Sequence, residues 1–380
     1  MEIYFDNSAT TAPYKEVCET VADTMSRFYG NPSSLHRIGK AAEDLLNDCR
    51  ESVARSIGAS ADEIIFISGG TESDNTAIIG YCMANKRRGN KIITSKIEHP
   101  AVLEAVKHLE QSGFEAVYLD VDETGKVDIE QLKSELDENT LLVSVMHVNN
   151  ETGTIQPVEE IAAMVHSVGA VFHVDAVQSY GKIKIDVKKL GADLLTVSAH
   201  KVHGPKGVGA LYIKKAVRIS PVIYGGGQER GLRSSTENLP AIAGFAKAVD
   251  IMTDNFDIAV SAMGKIKAYF ANKLKESIEN IVVNTPEDSV CSVLNISFVG
   301  VKSEVLLHVL EDKGIYVSSG SACSSHKKGR SHVLTAMGKK DNVTDSSLRF
   351  SFCGSNTIEE ADAAIAVLTE QVPVLSRIMR

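Results

Sequence analysis

The feature of this sequence that most constrains its fold is a repeated alternation of short apolar runs with longer amphipathic stretches. Continuously apolar strands separated by helices are typical of a mostly parallel sheet with helices on both faces. The predicted helices include the stretches at 72–86, 100–112, 128–137 and 158–168. The predicted strands are IIFI (64–67), KIITS (91–95), AVYL (116–119), LLVSVMHV (141–148), AVFHV (170–174), DLLTV (193–197) and GALYI (209–213).

The chain changes in character after about residue 238. The link between the last two apolar runs, DLLTV and GALYI, is too short for a crossover helix, so we expect this pair to be antiparallel. Beyond it, Thr357 and Glu360 have the spacing of a capping box and predict the start of a last helix. We predict a smaller α+β domain here, with helical patterns at 238–253 and 258–280 and strand patterns at 292–299, 315–319 and 347–353.

Composition excludes several classes of protein. With 43% hydrophobic and 23% charged residues, the chain resembles an ordinary soluble globular protein. Its net charge of −9 argues against direct nucleic-acid binding. We expect neither a signal peptide nor a membrane span. A reducing cytoplasm fits the scattered cysteines, which form no C-x-x-C pair: Cys18, Cys49, Cys82, Cys291, Cys323 and Cys353.

Polar residues follow five of the predicted strands. In open parallel sheets, ligands bind beyond the carboxyl ends of the strands. Because a core would not need these groups, we expect them to form one ligand site. They are the stretches S-G-G-T-E-S-D-N (68–75), K-I-E-H-P (96–100), N-N-E-T-G (149–153) and S-A-H-K (198–201), together with Asp175 and Gln178.

Two of these positions suggest a cofactor. A pyridoxal 5'-phosphate (PLP) enzyme needs a lysine for a Schiff base and an acid for the ring nitrogen. Lys201 follows Asp175 by 26 positions, about one crossover unit, which would place both groups at one edge of the sheet. Gly70 and Thr71 open a predicted helix whose N-terminus suits an anion. An ordinary glycine turn before a helix would have the same sequence pattern.

His99 and Arg349 each admit two interpretations. His99 precedes a helix-starting proline, so it is either a surface cap or a group that stacks on a cofactor and moves protons. Arg349 interrupts an apolar strand pattern. It is either an edge or solvent-face residue or a guanidinium aimed at a carboxylate.

Cys323 lies in an unusually polar stretch, V-S-S-G-S-A-C-S-S-H-K-K-G (317–329). It is a surface thiol, a metal ligand with His326 and His332, or a nucleophile. The metal spacing matches none of the usual zinc patterns. A thiolate needs nearby positive charge, which His326, Lys327, Lys328 and Arg330 could supply.

Taken together, these motifs resemble those of the cysteine desulfurases, PLP-dependent enzymes of fold type I in the class V aminotransferase group. The S-S-G-S-A-C segment is similar to the subgroup that carries the longer cysteine loop. The resemblance spans nearly the whole chain and rests on YFDNSATT (4–11), GNPSSLH (30–36), GGTESDN (69–75), EHPAV (98–102), VNNETG (148–153), HVDAVQ (173–178), SAHKVHGPKGVG (198–209), GGGQERGLRSSTEN (225–238), SSGSACSS (318–325) and LRFSF (348–352).

The resemblance implies a role for each residue. Lys201 would carry PLP and remove the substrate α-proton, and Cys323 would take up sulfur as a persulfide. His99 would stack on the ring, Asp175 would pair with its nitrogen and Gln178 with its hydroxyl. The phosphate would be held by Gly70, Thr71, Ser198, His200 and, from the other subunit of a homodimer, Thr236. The substrate carboxylate would be bound by Asn150 and Arg349.

The same resemblance implies a large PLP-binding domain at 14–257 and a small domain at 1–13 and 258–380. L-cysteine would be the substrate, and an iron–sulfur scaffold or a tRNA-thiolating enzyme the sulfur acceptor. A selenocysteine lyase, another PLP aminotransferase and a non-enzymatic sulfur or metal carrier are the alternatives. The C-G-S-N segment after LRFSF departs from the family pattern, and Cys353 has no assigned role there.

Overall fold

The computed structural model describes residues 2–320 and 330–378, which form strands connected mostly by helices. The strands are β1 (Ile3–Tyr4), β2 (Ile64–Ile67), β3 (Lys91–Ser95), β4 (Glu115–Leu119), β5 (Thr140–Met146), β6 (Val171–Asp175), β7 (Leu194–Ser198), β8 (Gly209–Ile213), β9 (Ile281–Val283), β10 (Val293–Phe298), β11 (Ile315–Tyr316) and β12 (Ser347–Ser351). The α-helices are α1 (Lys15–Arg27), α2 (Arg37–Ser56), α3 (Gly70–Asn85), α4 (Pro100–Gln111), α5 (Ile129–Glu135), α6 (Val158–Ser167), α7 (Val187–Leu190), α8 (Leu239–Asp254), α9 (Phe256–Ser277), α10 (Ser303–Asp312), α11 (His332–Ala336), α12 (Asp341–Thr344) and α13 (Ile358–Ile378).

The largest sheet has seven strands in the order β2-β8-β7-β6-β5-β3-β4. Neighbours from β7 to β4 are parallel, whereas β8 runs antiparallel to both β7 and β2. The expected mostly parallel sheet and the expected antiparallel pair are therefore confirmed. Because β8 opposes both of its neighbours, β2 points in the same direction as β7, and its carboxyl end lies at the same edge of the sheet.

Burial explains why apolar runs predicted these strands. Every residue of β2, β3, β5, β6, β7 and β8 is buried, as expected for strands covered by helices on both faces. The edge strand β4 is only partly covered. Among the described residues, no helix combines the length and the apolar character that crossing a membrane requires.

The C-terminal part of the chain contains two further sheets, and the N-terminal strand β1 belongs to one of them. Strands β12, β10 and β9 form an antiparallel sheet, and β1 pairs in parallel with β11. Phe5 packs against Phe270 and Phe352, so the N-terminal segment is held in the core of this part. Helix α9 crosses the predicted domain boundary between residues 257 and 258, and the division at that point stays a prediction.

Some elements differ from the sequence interpretation. Two N-terminal helices, α1 and α2, were not predicted, although Ala42, Leu46, Cys49 and Val53 recur on one face of α2 and are buried. The strand patterns at 315–319 and 347–353 are shorter in the structure, ending at Tyr316 and Ser351. The last helix begins as predicted: Thr357 and Glu360 exchange side-chain-to-backbone hydrogen bonds of 2.9 and 3.2 Å.

Candidate active site

The carboxyl ends of β2, β3, β5, β6 and β7 meet at one edge of the large sheet. In the sheet order, β4 lies on one side of β3, whereas β5, β6 and β7 follow one another on the other side of β3. The gap between β3 and β5 is therefore a topological switch point, where ligands bind in sheets of this type. Lys201 is close enough to affect the pKa of both His99 and Asp175, so the groups at three strand ends lie near one another.

Lys201 ends a short 3₁₀-helix, Ala199–Lys201, directly after β7. Its ammonium donates hydrogen bonds to the carbonyl oxygens of Ser8 and Ala9, at 2.5 and 2.7 Å. The Gln178 amide donates to the same Ser8 oxygen at 3.0 Å. The N-terminal segment thus crosses the site and fixes both side chains through its backbone.

Asp175 is the last residue of β6, and only 6% of it is exposed. Its Oδ1 accepts a hydrogen bond of 2.9 Å from the backbone N–H of Val177. Burial raises the pKa of Asp175, while the Val177 N–H and the Lys201 ammonium oppose that shift. A cationic ring nitrogen would oppose it further, which makes this carboxyl a suitable partner for a pyridinium.

A second buried acid lies near Asp175. Asp74 in α3 is 1% exposed, and burial together with the charge of Asp175 raises its pKa well above the usual range. His173 Nε2 lies 3.7 Å from Asp74 Oδ1 and 3.1 Å from Thr196 Oγ1. Burial lowers the pKa of His173 to about 3, so this histidine is neutral and contributes no compensating charge.

His99 caps helix α4, and its Nδ1 accepts a hydrogen bond of 3.2 Å from the backbone N–H of Ala101. Burial, helped by the positive charges of Lys201 and His332, lowers the pKa of His99 to about 4. The imidazole is therefore neutral at pH 7, with its proton on Nε2. The capping interpretation is confirmed, and a flat neutral ring also suits stacking.

The start of α3 and the end of β7 form a candidate phosphate site. Gly69 has φ +153° and ψ −177°, a region essentially restricted to glycine. The first-turn N–H groups at Gly70 and Thr71 have no acceptor within the helix. Ser198 Oγ is buried and, within the described part of the chain, has no hydrogen-bond partner. It lies 4.0 Å from the point where a Gly69 side chain would begin.

His200 lies one residue before Lys201, and its Nδ1 is 3.2 Å from Thr10 Oγ1. Burial lowers the pKa of His200 to about 4, assisted by the charges of Lys201, Lys206 and Lys182. The ring is therefore neutral at pH 7. It can donate a hydrogen bond to a phosphate but does not neutralise its charge.

Arg349 is 1% exposed, so the solvent-facing interpretation is wrong. Its guanidinium pairs with Asp6 at 2.8 Å and donates to the Asn150 carbonyl oxygen at 2.9 Å. Its Nε is buried and has no partner among the described residues. The structure thus brings Arg349 and Asn150 together, and a carboxylate ligand would compete with Asp6 for this guanidinium.

Two predicted site residues are not placed with this group. Thr236 is exposed in the loop before α8, as a residue that serves another subunit would be. Cys323 lies outside the described residues, as do His326, Lys327 and Lys328. His332, named with them as a possible metal ligand, donates through Nε2 to the Glu98 carbonyl oxygen at 3.0 Å.

Sequence reasoning missed Glu98, which precedes His99 and is fully buried. Its carboxyl accepts from Ser95 Oγ at 2.6 Å and from the Met146 N–H at 3.0 and 3.1 Å. Burial raises the pKa of Glu98 to about 8. Glu98 therefore ties the end of β3 to the end of β5 just beneath His99, and nothing in its local sequence distinguishes it from a surface glutamate.

Known proteins share this arrangement. The aminotransferase class-V family model matches residues 3–364. "Cysteine desulfurase IscS" of Dictyoglomus turgidum is 42% identical over 378 residues, covering 99% of this chain and 96% of that protein. The chain belongs to the aminotransferase class-V family. Within this family, the "Putative cysteine desulfurase IscS 1" of Bacillus subtilis is 44% identical and covers 98% of this chain and 99% of its own.

The solved structures agree with this family. A structure titled "NIFS-LIKE PROTEIN" superposes with a TM-score of 0.93 at 41% identity, covering 99% of this chain and 100% of its own. The resemblance to cysteine desulfurases and the predicted fold are confirmed. The family uses PLP. The site fits that cofactor, because Ser198 Oγ, which no described residue partners, lies beside the glycine turn of α3, and a buried acid and a lysine lie at neighbouring strand ends.

Proposed function

We propose that this protein is a PLP-dependent cysteine desulfurase that converts L-cysteine into L-alanine and leaves a persulfide on Cys323. The observation that carries the proposal is that Lys201 and Asp175, at neighbouring strand ends by the switch point of the sheet, lie close enough for the charge of Lys201 to act on Asp175. In the reaction, the carbon–sulfur bond of cysteine breaks and a sulfur–sulfur bond forms on Cys323. The Cys323 sulfur and the substrate sulfur are oxidised, the carbon is reduced, and it takes up a proton, so no external oxidant is needed.

Bound PLP supplies an electron sink for the charge left on the substrate α-carbon. Lys201 removes and returns the α-proton, and its position is fixed by the Ser8 and Ala9 carbonyl oxygens. Arg349 and Asn150 orient the substrate carboxylate, while the neutral His99 covers the ring and excludes water. Cys323 attacks the substrate sulfur as the thiolate.

Several features of the proposal concern other molecules. Thr236, exposed on this chain, reaches the phosphate in the partner subunit of a homodimer. The persulfide passes to an acceptor protein, either an iron–sulfur scaffold or a tRNA-thiolating enzyme. We place the activity in the cytoplasm. The structure titled "SspA in complex with cysteine", which is 33% identical with a TM-score of 0.83, shows that a protein of this fold accommodates the proposed substrate.

The variant Cys323→Ser tests the proposal. We expect it to retain the visible absorbance of bound PLP and to lose both alanine release and the persulfide seen by mass spectrometry. Cys18→Ser is the matched control, because Cys18 is an exposed free cysteine that should not take part. If Cys323→Ser released alanine from cysteine at the wild-type rate, the nucleophile would be a different group. Faster alanine release from selenocysteine than from cysteine would instead favour a selenocysteine lyase.

A further inference from the structure

Lys182 lies behind the active-site lysine. Its ammonium donates a hydrogen bond of 2.6 Å to the backbone carbonyl oxygen of Lys201. Burial lowers the pKa of Lys182 to about 8, so the side chain remains largely charged at pH 7. Lys182 thus holds the main chain from which the Lys201 side chain extends.

No carboxylate among the residues 2–320 and 330–378 pairs with Lys182. Lys182 and Lys201 both line a small cavity beneath the N-terminal segment. The residues of the described chain that line it include no aspartate or glutamate. Lys182 also forms no ion pair with any described carboxylate, so its positive charge acts across the cavity without a counter-charge.

Other titratable groups surround the two lysines, and Lys206 adds a further positive charge that acts on His200 together with them. Tyr14, His203 and Cys353 line the same cavity, and Cys291 lies near Lys182. Burial and the charge of Lys182 lower the pKa of His203, so it adds no positive charge at pH 7. Close to Lys201 on the cofactor side are His99, His200 and the carboxyl of Asp175.

We propose that Lys182 is a positioning residue that fixes the backbone of Lys201 and, by placing a second positive charge behind it, favours the uncharged form of the Lys201 nitrogen. A neighbouring cation disfavours protonation of an amine and makes it a better base and nucleophile. This inference rests on the proposed function, in which Lys201 must be uncharged to accept the substrate α-proton. The acid Asp175 acts in the opposite sense, and Lys182 offsets it.

The test is a pH titration of the cofactor-loaded protein, followed by the visible absorbance of PLP. This absorbance changes when the nitrogen joining PLP to lysine loses its proton. A unit charge within about 8 Å moves such a midpoint by about one pH unit. We expect Lys182→Gln, which keeps a hydrogen-bond donor but removes the charge, to raise the midpoint by about that amount. Lys182→Arg keeps the charge and should titrate like the wild type.

Lys267 offers a matched control. It is also a partly buried lysine that donates to a backbone carbonyl, that of Val290 at 2.7 Å, but this carbonyl is not part of the site. We expect Lys267→Met to leave the midpoint unchanged and Lys182→Met to raise it. If Lys182→Met does not fold, Lys182→Gln carries the test alone.

An unchanged midpoint in Lys182→Gln would overturn the inference, and so would an equal shift in Lys182→Arg, which would make the effect steric. A wild-type protein that takes up no PLP would instead refute the proposed function. The two failures are therefore distinguishable in one titration series.

Discussion

The pair formed by Asp6 and Arg349 allows a quantitative prediction. The side chain of Arg349 is 1% exposed, whereas that of Asp6 is 18% exposed, and the two are 2.8 Å apart. Removing one partner of a fully buried pair costs about 3–5 kcal/mol because a charge is left uncompensated. Asp6→Asn retains an acceptor and is partly solvated, so we expect a smaller loss of about 2 kcal/mol. Unfolding a chain of 380 residues releases entropy of about 0.8 kcal/mol per degree, so Tm should fall by about 2–3 °C.

The same variant should strengthen the binding of carboxylate ligands. With residue 6 neutral, the guanidinium of Arg349 has no competing anion there, and the proposed substrate carboxylate can pair with it without displacing another carboxylate. We therefore expect L-alanine to raise the Tm of Asp6→Asn by more than it raises that of the wild type, since at a given concentration a tighter ligand stabilises the folded state more. Thermal unfolding with and without L-alanine measures both effects.

A control separates burial from pairing. Arg330 and Asp345 form another ion pair, with 2.7 Å between Nε and Oδ1, but both side chains are nearly half exposed. Exposed pairs contribute about 0–1 kcal/mol, so Asp345→Asn should hardly change Tm and should not alter the effect of L-alanine. If Asp6→Asn unfolded at the wild-type temperature, or if L-alanine stabilised it less than the wild type, Asp6 would not be the competing counter-charge of Arg349.

Two further predictions concern the cofactor site and its pH dependence. Gly69→Ala should cost about 1–3 kcal/mol of backbone strain and weaken PLP binding measured by fluorescence titration, whereas Gly113→Ala, at φ +91° in an open turn, should strain the chain without changing that affinity. The folded protein keeps a proton on Glu98 up to about pH 8, whereas the unfolded chain loses it near pH 4.5, so the stability contributed by Glu98 is lost as pH rises through this window. Glu98→Gln should therefore lose less stability than the wild type between pH 5 and 8 in denaturant titrations, and an identical slope for both proteins would contradict the buried protonated carboxyl.

The sequence predicts the large sheet well because its strands are buried on both faces. A run such as IIFI at 64–67 is apolar throughout, and the structure has β2 at the same residues. Helix α2 was missed because its apolar residues recur at helical spacing among many charged ones, and only a count of that period would have separated it from a loop. The two-residue strands β1 and β11 have no such signal and depend on their tertiary pairing.

The site is predictable to a similar extent and for a related reason. Asp175 and Lys201 could be found because each follows a recognisable strand, and the edge of a parallel sheet brings strand ends together. The pair of Asp6 and Arg349 could not be predicted in this way. Its members are 343 positions apart and meet only when the N-terminal segment joins the C-terminal core. The burial that changes the pKa of Glu98 likewise depends on the packing of β3 against β5 rather than on neighbouring residues.

The fold places both buried acids and a second lysine near Lys201, which the sequence motifs alone do not show. On the cofactor side, three buried acids, Asp74, Glu98 and Asp175, lie close enough to influence one another, and the histidines among them are neutral. Lys182, which donates to the backbone of Lys201, lines a cavity that no described acid lines. A protonated ring nitrogen needs negative charge, while an uncharged lysine needs positive charge nearby. The acids and Lys182 can meet these two requirements separately, and the Ser8 and Ala9 carbonyl oxygens fix the position of the Lys201 nitrogen on which both act.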